Sequence, residues 1–153
     1  MKKLLIVAHA PSPNTTRLAQ AVLRGARHPD IDGVQAEWIP PLQAGPEDVL
    51  AADAIILGTT ENLGYMSGAL KDFFDRCYYP VREKTQALPC AVYIRAGLDG
   101  TGTRRALTSI LAGLTWREVQ ESHLYHGDWQ DAFEAQAEEL GMTMAAGLEA
   151  GIF

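Results

Sequence analysis

Three short stretches hold most of the hydrogen-bonding residues that could do chemistry: "HAPSPNTTR" at residues 9–17, "GTTENLGYMSG" at 58–68 and "RAGLDGTGT" at 95–103. In the first, Ser12, Asn14, Thr15 and Thr16 stand at the opening of an expected helix. Unpaired backbone N–H groups and the positive dipole end favour an anion there, so the residues suit a phosphate monoester held without a lysine. They equally suit a plain helix cap. In the second stretch, Gly58 and Gly64 allow the main chain to approach the edge of a flat ligand, and Leu63, Tyr65 and Met66 offer surface for a ring. Its bland alternative is an ordinary loop capped by Ser67. The third stretch supplies either another glycine-lined wall or a simple helix entry.

The elements that must position these stretches follow from apolar spacing. Leu4-Leu5-Ile6-Val7 is a continuous apolar run without alternation, as expected of a strand covered on both faces. Asn14 caps a helix expected from Thr15 to near Gly25, with Leu18, Ala19, Val22 and Leu23 on one face. "GVQAEWI" alternates and stops at Pro40-Pro41, which fits an edge strand. A short helix or turn follows Pro46, and "DAIILG" is a third, buried strand that opens into a polar loop. Ser67 caps a helix carrying Leu70, Phe73, Phe74 and Cys77. "CAVYIRA" is a fourth strand, followed by a helix through Ala106, Leu107, Ile110 and Leu111. A weak fifth strand lies around Val119 to Tyr125, before a last helix with Phe133, Ala137, Leu140 and Met144 at helical spacing.

Five alternations of strand and helix imply a parallel sheet with helices on both faces. Such a sheet receives ligands at the carboxyl ends of its strands, near the reversal of strand order. The three stretches fall after the first, third and fourth strands, at that edge. The 153 residues fit one domain, and 47% hydrophobic content fills one core.

Composition removes several classes of function. The formal net charge is -6 and the 13 basic residues are scattered, which argues against nucleic acid. No stretch approaches the length of a bilayer-spanning helix, and the apolar run after Lys2-Lys3 is too short for a signal peptide, so a cytoplasmic location away from membranes is expected. Cys77 and Cys90 read as buried, reduced thiols without metal-ligand spacing. No metal site is expected. No Gly-x-Gly-x-x-Gly follows the first strand and no Walker lysine occurs, so a tightly held dinucleotide or a nucleoside triphosphate loses support. Four residues, not five, separate Cys77 from Arg82 and Cys90 from Arg95, which disfavours a cysteine phosphatase. The third strand ends without an acceptor aspartate, which disfavours a receiver domain.

"GTTENLGYMSGALKDFFD" resembles the stretch Gly-Thr-Pro-x-x-x-Gly-x-Met-Ser-Gly-x-x-Lys-x-Phe-x-Asp of the flavodoxin superfamily, in particular its NAD(P)H-dependent FMN reductases and flavodoxin-like quinone reductases. The matches are Gly58, Thr59, Gly64, Met66, Ser67, Gly68, Lys71, Phe73 and Asp75. Ser12, Asn14 and Thr15 are similar to the superfamily's phosphate loop, with Pro13 in place of its glycine and Ala10 in place of a hydroxyl residue; Thr60 stands where proline is usual. The resemblance implies a single flavodoxin-like, FMN-binding domain over residues 1–153, a three-layer α/β sandwich with a five-stranded parallel sheet of order 2-1-3-4-5.

By the same resemblance, FMN would be held by His9, Ser12, Asn14, Thr15 and Thr16 at the phosphate, by Thr60, Glu61, Asn62, Leu63, Gly64, Tyr65 and Met66 at the ring, and by Ala96, Gly97 and Gly100 on the third wall. NAD(P)H would be the transient electron donor, and a quinone, flavin or other small molecule the acceptor. No side chain need act as acid or base in hydride transfer, so no catalytic residue is assigned. A homodimer or tetramer is implied, with Trp129 and the Tyr78-Tyr79 pair as candidate interface aromatics. Two alternatives stay open: an electron carrier without substrate turnover, and a flavodoxin-like domain that has lost its flavin.

Overall fold

The computed structural model describes residues 1–153. Strand β1 (Lys2–Ala8) leads to helix α1 (Pro13–Ala26), β2 (Val34–Ile39), α2 (Pro46–Ala51) and β3 (Ala54–Asn62). A two-residue strand β4 (Tyr65–Met66) precedes α3 (Gly68–Arg82), β5 (Pro89–Ala96) and α4 (Thr101–Leu114). Short strands β6 (Arg117–Glu118) and β7 (His123–His126) lead into α5 (Asp131–Glu149).

The sheet runs β2-β1-β3-β5, with β6 and β7 both pairing parallel to the outer edge of β5. This is the expected order with its fifth strand broken in two. Alternation along the central strands sends Leu4, Ile6, Ile56 and Tyr93 to one face and Leu5, Val7, Ile55 and Val92 to the other. Helices α1 and α5 cover the first face, while α2, α3 and α4 cover the second, producing two buried apolar layers. The near-continuous apolar runs of β1, β3 and β5 are explained by this double coverage.

Three local expectations need correction. Helix α1 starts at Pro13 and is capped by Ser12, not Asn14: the Ser12 hydroxyl accepts from Thr15 N–H while Thr15 Oγ1 accepts from Ser12 N–H. Proline is well suited to the first helical position, where its missing N–H costs nothing. Strand β3 does not stop at Gly58; it continues to Asn62 because β5 pairs alongside it as far as Thr60 opposite Arg95. The fifth strand is interrupted because β6 and β7 meet β5 at separate registers, Cys90↔Glu118 and Tyr93↔His123. Within β7, the Tyr125 hydroxyl lies 2.7 Å from His123 Nδ1.

Gly58 has a packing role rather than a turning one. It lies inside β3 opposite Tyr93, and a Cβ there would sit 2.3 Å from the Tyr93 ring. The ring therefore crosses the central strand through the space of an absent side chain. Gly58→Ala is expected to destabilise the fold by about 1–3 kcal/mol through overpacking. Urea denaturation measures this, and a change within about 0.5 kcal/mol, the range of an ordinary surface substitution, would contradict the packing described.

Candidate functional site

The carboxyl ends of β1, β3 and β5 meet at one edge of the sheet, and each continues into one of the three polar stretches. At the first, α1 presents its opening turn, but two of its polar residues are already engaged with each other. Ser12 and Thr15 form a reciprocal cap, with their hydroxyl oxygens 2.8 Å apart. Pro11 and Pro13 have no N–H to give. Asn14 and Thr16, both half-buried, are the side chains of this turn left free for an anion. Arg17 turns away toward α5, where Glu134 accepts from its Nη2 at 2.7 Å. His9, whose N–H donates to Gly58 O, has its pKa lowered by burial, which favours the neutral ring.

The second stretch is a β-hairpin, not an open loop. Asn62 pairs with Tyr65 across a two-residue turn made by Leu63 and Gly64, both at positive φ. Such turns match the twist of the flanking strands. The hairpin is fastened at several points: Ser67 N–H donates to the buried Thr59 hydroxyl, Thr103 Oγ1 donates to Tyr65 O, and Thr60 Oγ1 lies 2.9 Å from Asn62 Oδ1. A Cβ on Gly102 would lie 1.9 Å from Gly64 O, so the turn rests directly on the backbone of α4. Ser67 caps α3, as its sequence suggests, by accepting from Leu70 N–H.

Leu63 is fully exposed at a φ of +53°, where a branched apolar side chain is doubly disfavoured. Tyr65 is also exposed. Met66, expected to offer surface to a ring, is instead buried in the α3 and α4 layer, because alternation along β4 turns it inward.

At the third stretch, the Glu61 carboxylate crosses from the hairpin and accepts from Leu98 N–H at 2.9 Å and Gly100 N–H at 2.8 Å. The hairpin and the third loop are thus joined by one side chain. Ala96 is buried, Gly97 is open to solvent, and Leu98 is 70% exposed. Leu98 is an exposed apolar residue of this edge that sequence reasoning missed; its signal was a leucine amid glycine and aspartate, with no helical or strand period to bury it. Beyond this wall, the gap between β6 and β7 opens a cleft of about 650 Å³ lined by Arg104, Glu118, Gln120, Ser122 and Leu124. Arg104 is neutralised there by Glu118 at 2.9 Å.

Trp129 packs against the α1 and α5 layer with Arg17 over its ring, so of the three proposed interface aromatics Tyr79 is the fully open one. Burial pushes the Cys77 thiol up to about 11 and Cys90 up to about 12, leaving both as inert thiols. No group of three or more metal-ligating side chains is found, and no helix is long and apolar enough to cross a membrane.

An archaeal flavodoxin structure superimposes with a TM-score of 0.80 at 17% identity, over 96% of this chain and 99% of that one. The sheet order, the two helical layers and this superposition define a flavodoxin-like α/β protein. The sequence pattern described as NADPH-dependent FMN reductase matches residues 33–131, and the chain belongs to that family. A flavodoxin of Aquifex aeolicus is 30% identical over 74% of this chain, and the matched stretch spans 60% of that relative's length. The quinone-oxidoreductase QR2 of Triphysaria versicolor is 27% identical over 97% of this chain and 82% of its own.

Two outcomes follow from this geometry. Leu63→Asn, which places an Asn-Gly pair in the turn, is expected to stabilise the protein by about 1 kcal/mol in chemical denaturation, because asparagine tolerates positive φ and Leu63 loses no packing. A destabilisation would contradict it. The second concerns pH. His9 and His123 both have lowered pKa values in the fold, chiefly through burial, and so bind fewer protons folded than unfolded. Stability is therefore expected to fall as pH drops through the unfolded histidine value of about 6.5 toward the lower values of the folded state. Substituting both histidines with glutamine should flatten that slope; an unchanged slope would assign it to other groups.

Proposed function

We propose that the chain binds FMN across the three stretches and passes electrons from NAD(P)H to a small acceptor such as a quinone. The observation that carries this reading is the pair of backbone walls, hairpin and third loop, joined by Glu61 and edged by the exposed Leu63, Tyr65 and Leu98. A flat, polar ring with an apolar face needs that combination of main-chain groups and loose apolar surface. Its phosphate would be taken by Asn14 and Thr16 at the opening of α1, with Ser12 able to join by leaving its cap. His9, just beyond β1, and Thr60 and Asn62, at the end of β3, would lie between phosphate and ring.

FMN, when bound, supplies hydride and single-electron transfer; the chain supplies position, exclusion of water and local charge. Membership of a family described as NADPH-dependent FMN reductases supports nicotinamide as the donor. The QR2 relative supports a quinone as acceptor. The apolar rim left open by one chain is where a second copy would close over the ring, in a dimer or tetramer.

Similarity to the Aquifex flavodoxin favours one other reading, a carrier that exchanges electrons with protein partners. Titration of the apoprotein with FMN, followed by anaerobic addition of NADPH or NADH, separates the two. Quenched flavin fluorescence and rapid bleaching on adding nicotinamide are expected. Bound flavin that resists both nicotinamides would favour the carrier. No binding would overturn both readings and point to a domain in which the Ser12–Thr15 cap has closed the phosphate site.

A further inference from the structure

Glu61 occupies an unusual position for a carboxylate near a ligand edge. It sits at the end of β3, opposite Met66 in the hairpin, yet both its oxygens are bound 37 and 39 residues away, by Leu98 N–H and Gly100 N–H. It forms no ion pair, so its charge is met only by main-chain dipoles. The two N–H groups flank the exposed Leu98–Asp99 tip, and Thr101 N–H is taken separately by Asp99 Oδ1. This one side chain thus ties the third loop to the hairpin. No other side-chain hydrogen bond joins residues 97–100 to the hairpin.

We propose that Glu61 is a positioning residue that sets the third loop against the hairpin and keeps a negative charge, without a cationic partner, beside the bound ring. This rests on the reading that FMN binds at these walls. The reasoning is electrostatic. Adding electrons to the ring makes it more negative, and a fixed carboxylate between its two walls disfavours that state more than the oxidised one. Glu61 thereby lowers the potential of the bound cofactor, favouring onward transfer of electrons to an acceptor. Its side chain does this without leaving the Leu98 and Gly100 amides, so it is not a hydrogen-bonding contact of the ring.

The test compares wild type with Glu61→Gln, which removes the charge at nearly constant volume, and with Glu37→Gln, a control on the edge strand β2. Each protein is loaded with FMN, and its potential is measured against reference dyes. Glu61→Gln is expected to favour the reduced over the oxidised flavin by about tenfold relative to wild type, a rise of about 30 mV for a two-electron couple. Glu37→Gln is expected to leave the potential unchanged. Equal potentials in wild type and Glu61→Gln would overturn the proposal while leaving FMN binding intact, whereas failure of wild type to bind FMN would remove the reading beneath it.

Hydrogen exchange covers the case in which Glu61→Gln cannot be loaded. Faster exchange at the Leu98 and Gly100 amides, with an unchanged melting temperature, supports the positioning role. Unchanged exchange at those amides overturns it.

Discussion

The carboxyl edge of the sheet hangs from the main-chain pairing of β3. This strand is held on one side by β1 and on the other by β5, and it outruns β1, whose last pair is Ala8 with Gly58. Beyond that row β3 keeps only one parallel neighbour, and its free edge folds back on itself as the β3–β4 hairpin. A parallel sheet covered on both faces leaves polar groups no place except its strand ends. The chain's exposed polar loops are therefore concentrated where β1, β3 and β5 leave the sheet.

That constraint also explains the sharing of small residues. Tyr93 reaches across Gly58 toward β1, so the centre of the sheet accepts an aromatic ring where a side chain would normally stand. The hydroxyl of Tyr93 is buried without a partner, a cost that the packing of its ring against Tyr125 offsets in part. At the hairpin, Gly102 and Gly64 meet backbone to backbone, fixing the turn against α4. Rigid support at its base allows the turn to present Leu63 in a conformation that leucine disfavours.

Most of the architecture was legible because apolar periodicity is a local property. The unbroken run Leu4 to Val7, the helical spacing of Leu70, Phe73, Phe74 and Cys77, and the Ser67 cap all appear as read. What escaped reading depends on register between distant segments. Nothing near Gly58 announces Tyr93, and nothing near Glu61 announces the amides of Leu98 and Gly100. The cap of α1 was misplaced by two residues because Ser12 and Asn14 are both good caps, and only Pro13 at the first helical position decides between them. The break in the last strand was hidden for a similar reason: pairing on both sides of a four-residue gap is visible only once β5 is in place.

The central claim is that one sheet edge, built from the ends of β1, β3 and β5, receives FMN. Amide chemical-shift mapping during addition of FMN tests it most directly. The account predicts shifts confined to residues 9–16, 60–66 and 96–101, with Asn14, Tyr65, Leu98 and Gly100 among the largest. Shifts centred on the concavity at the opposite end of the sheet, around Lys3, Glu47 and Ala52, or no shifts at all, would contradict it.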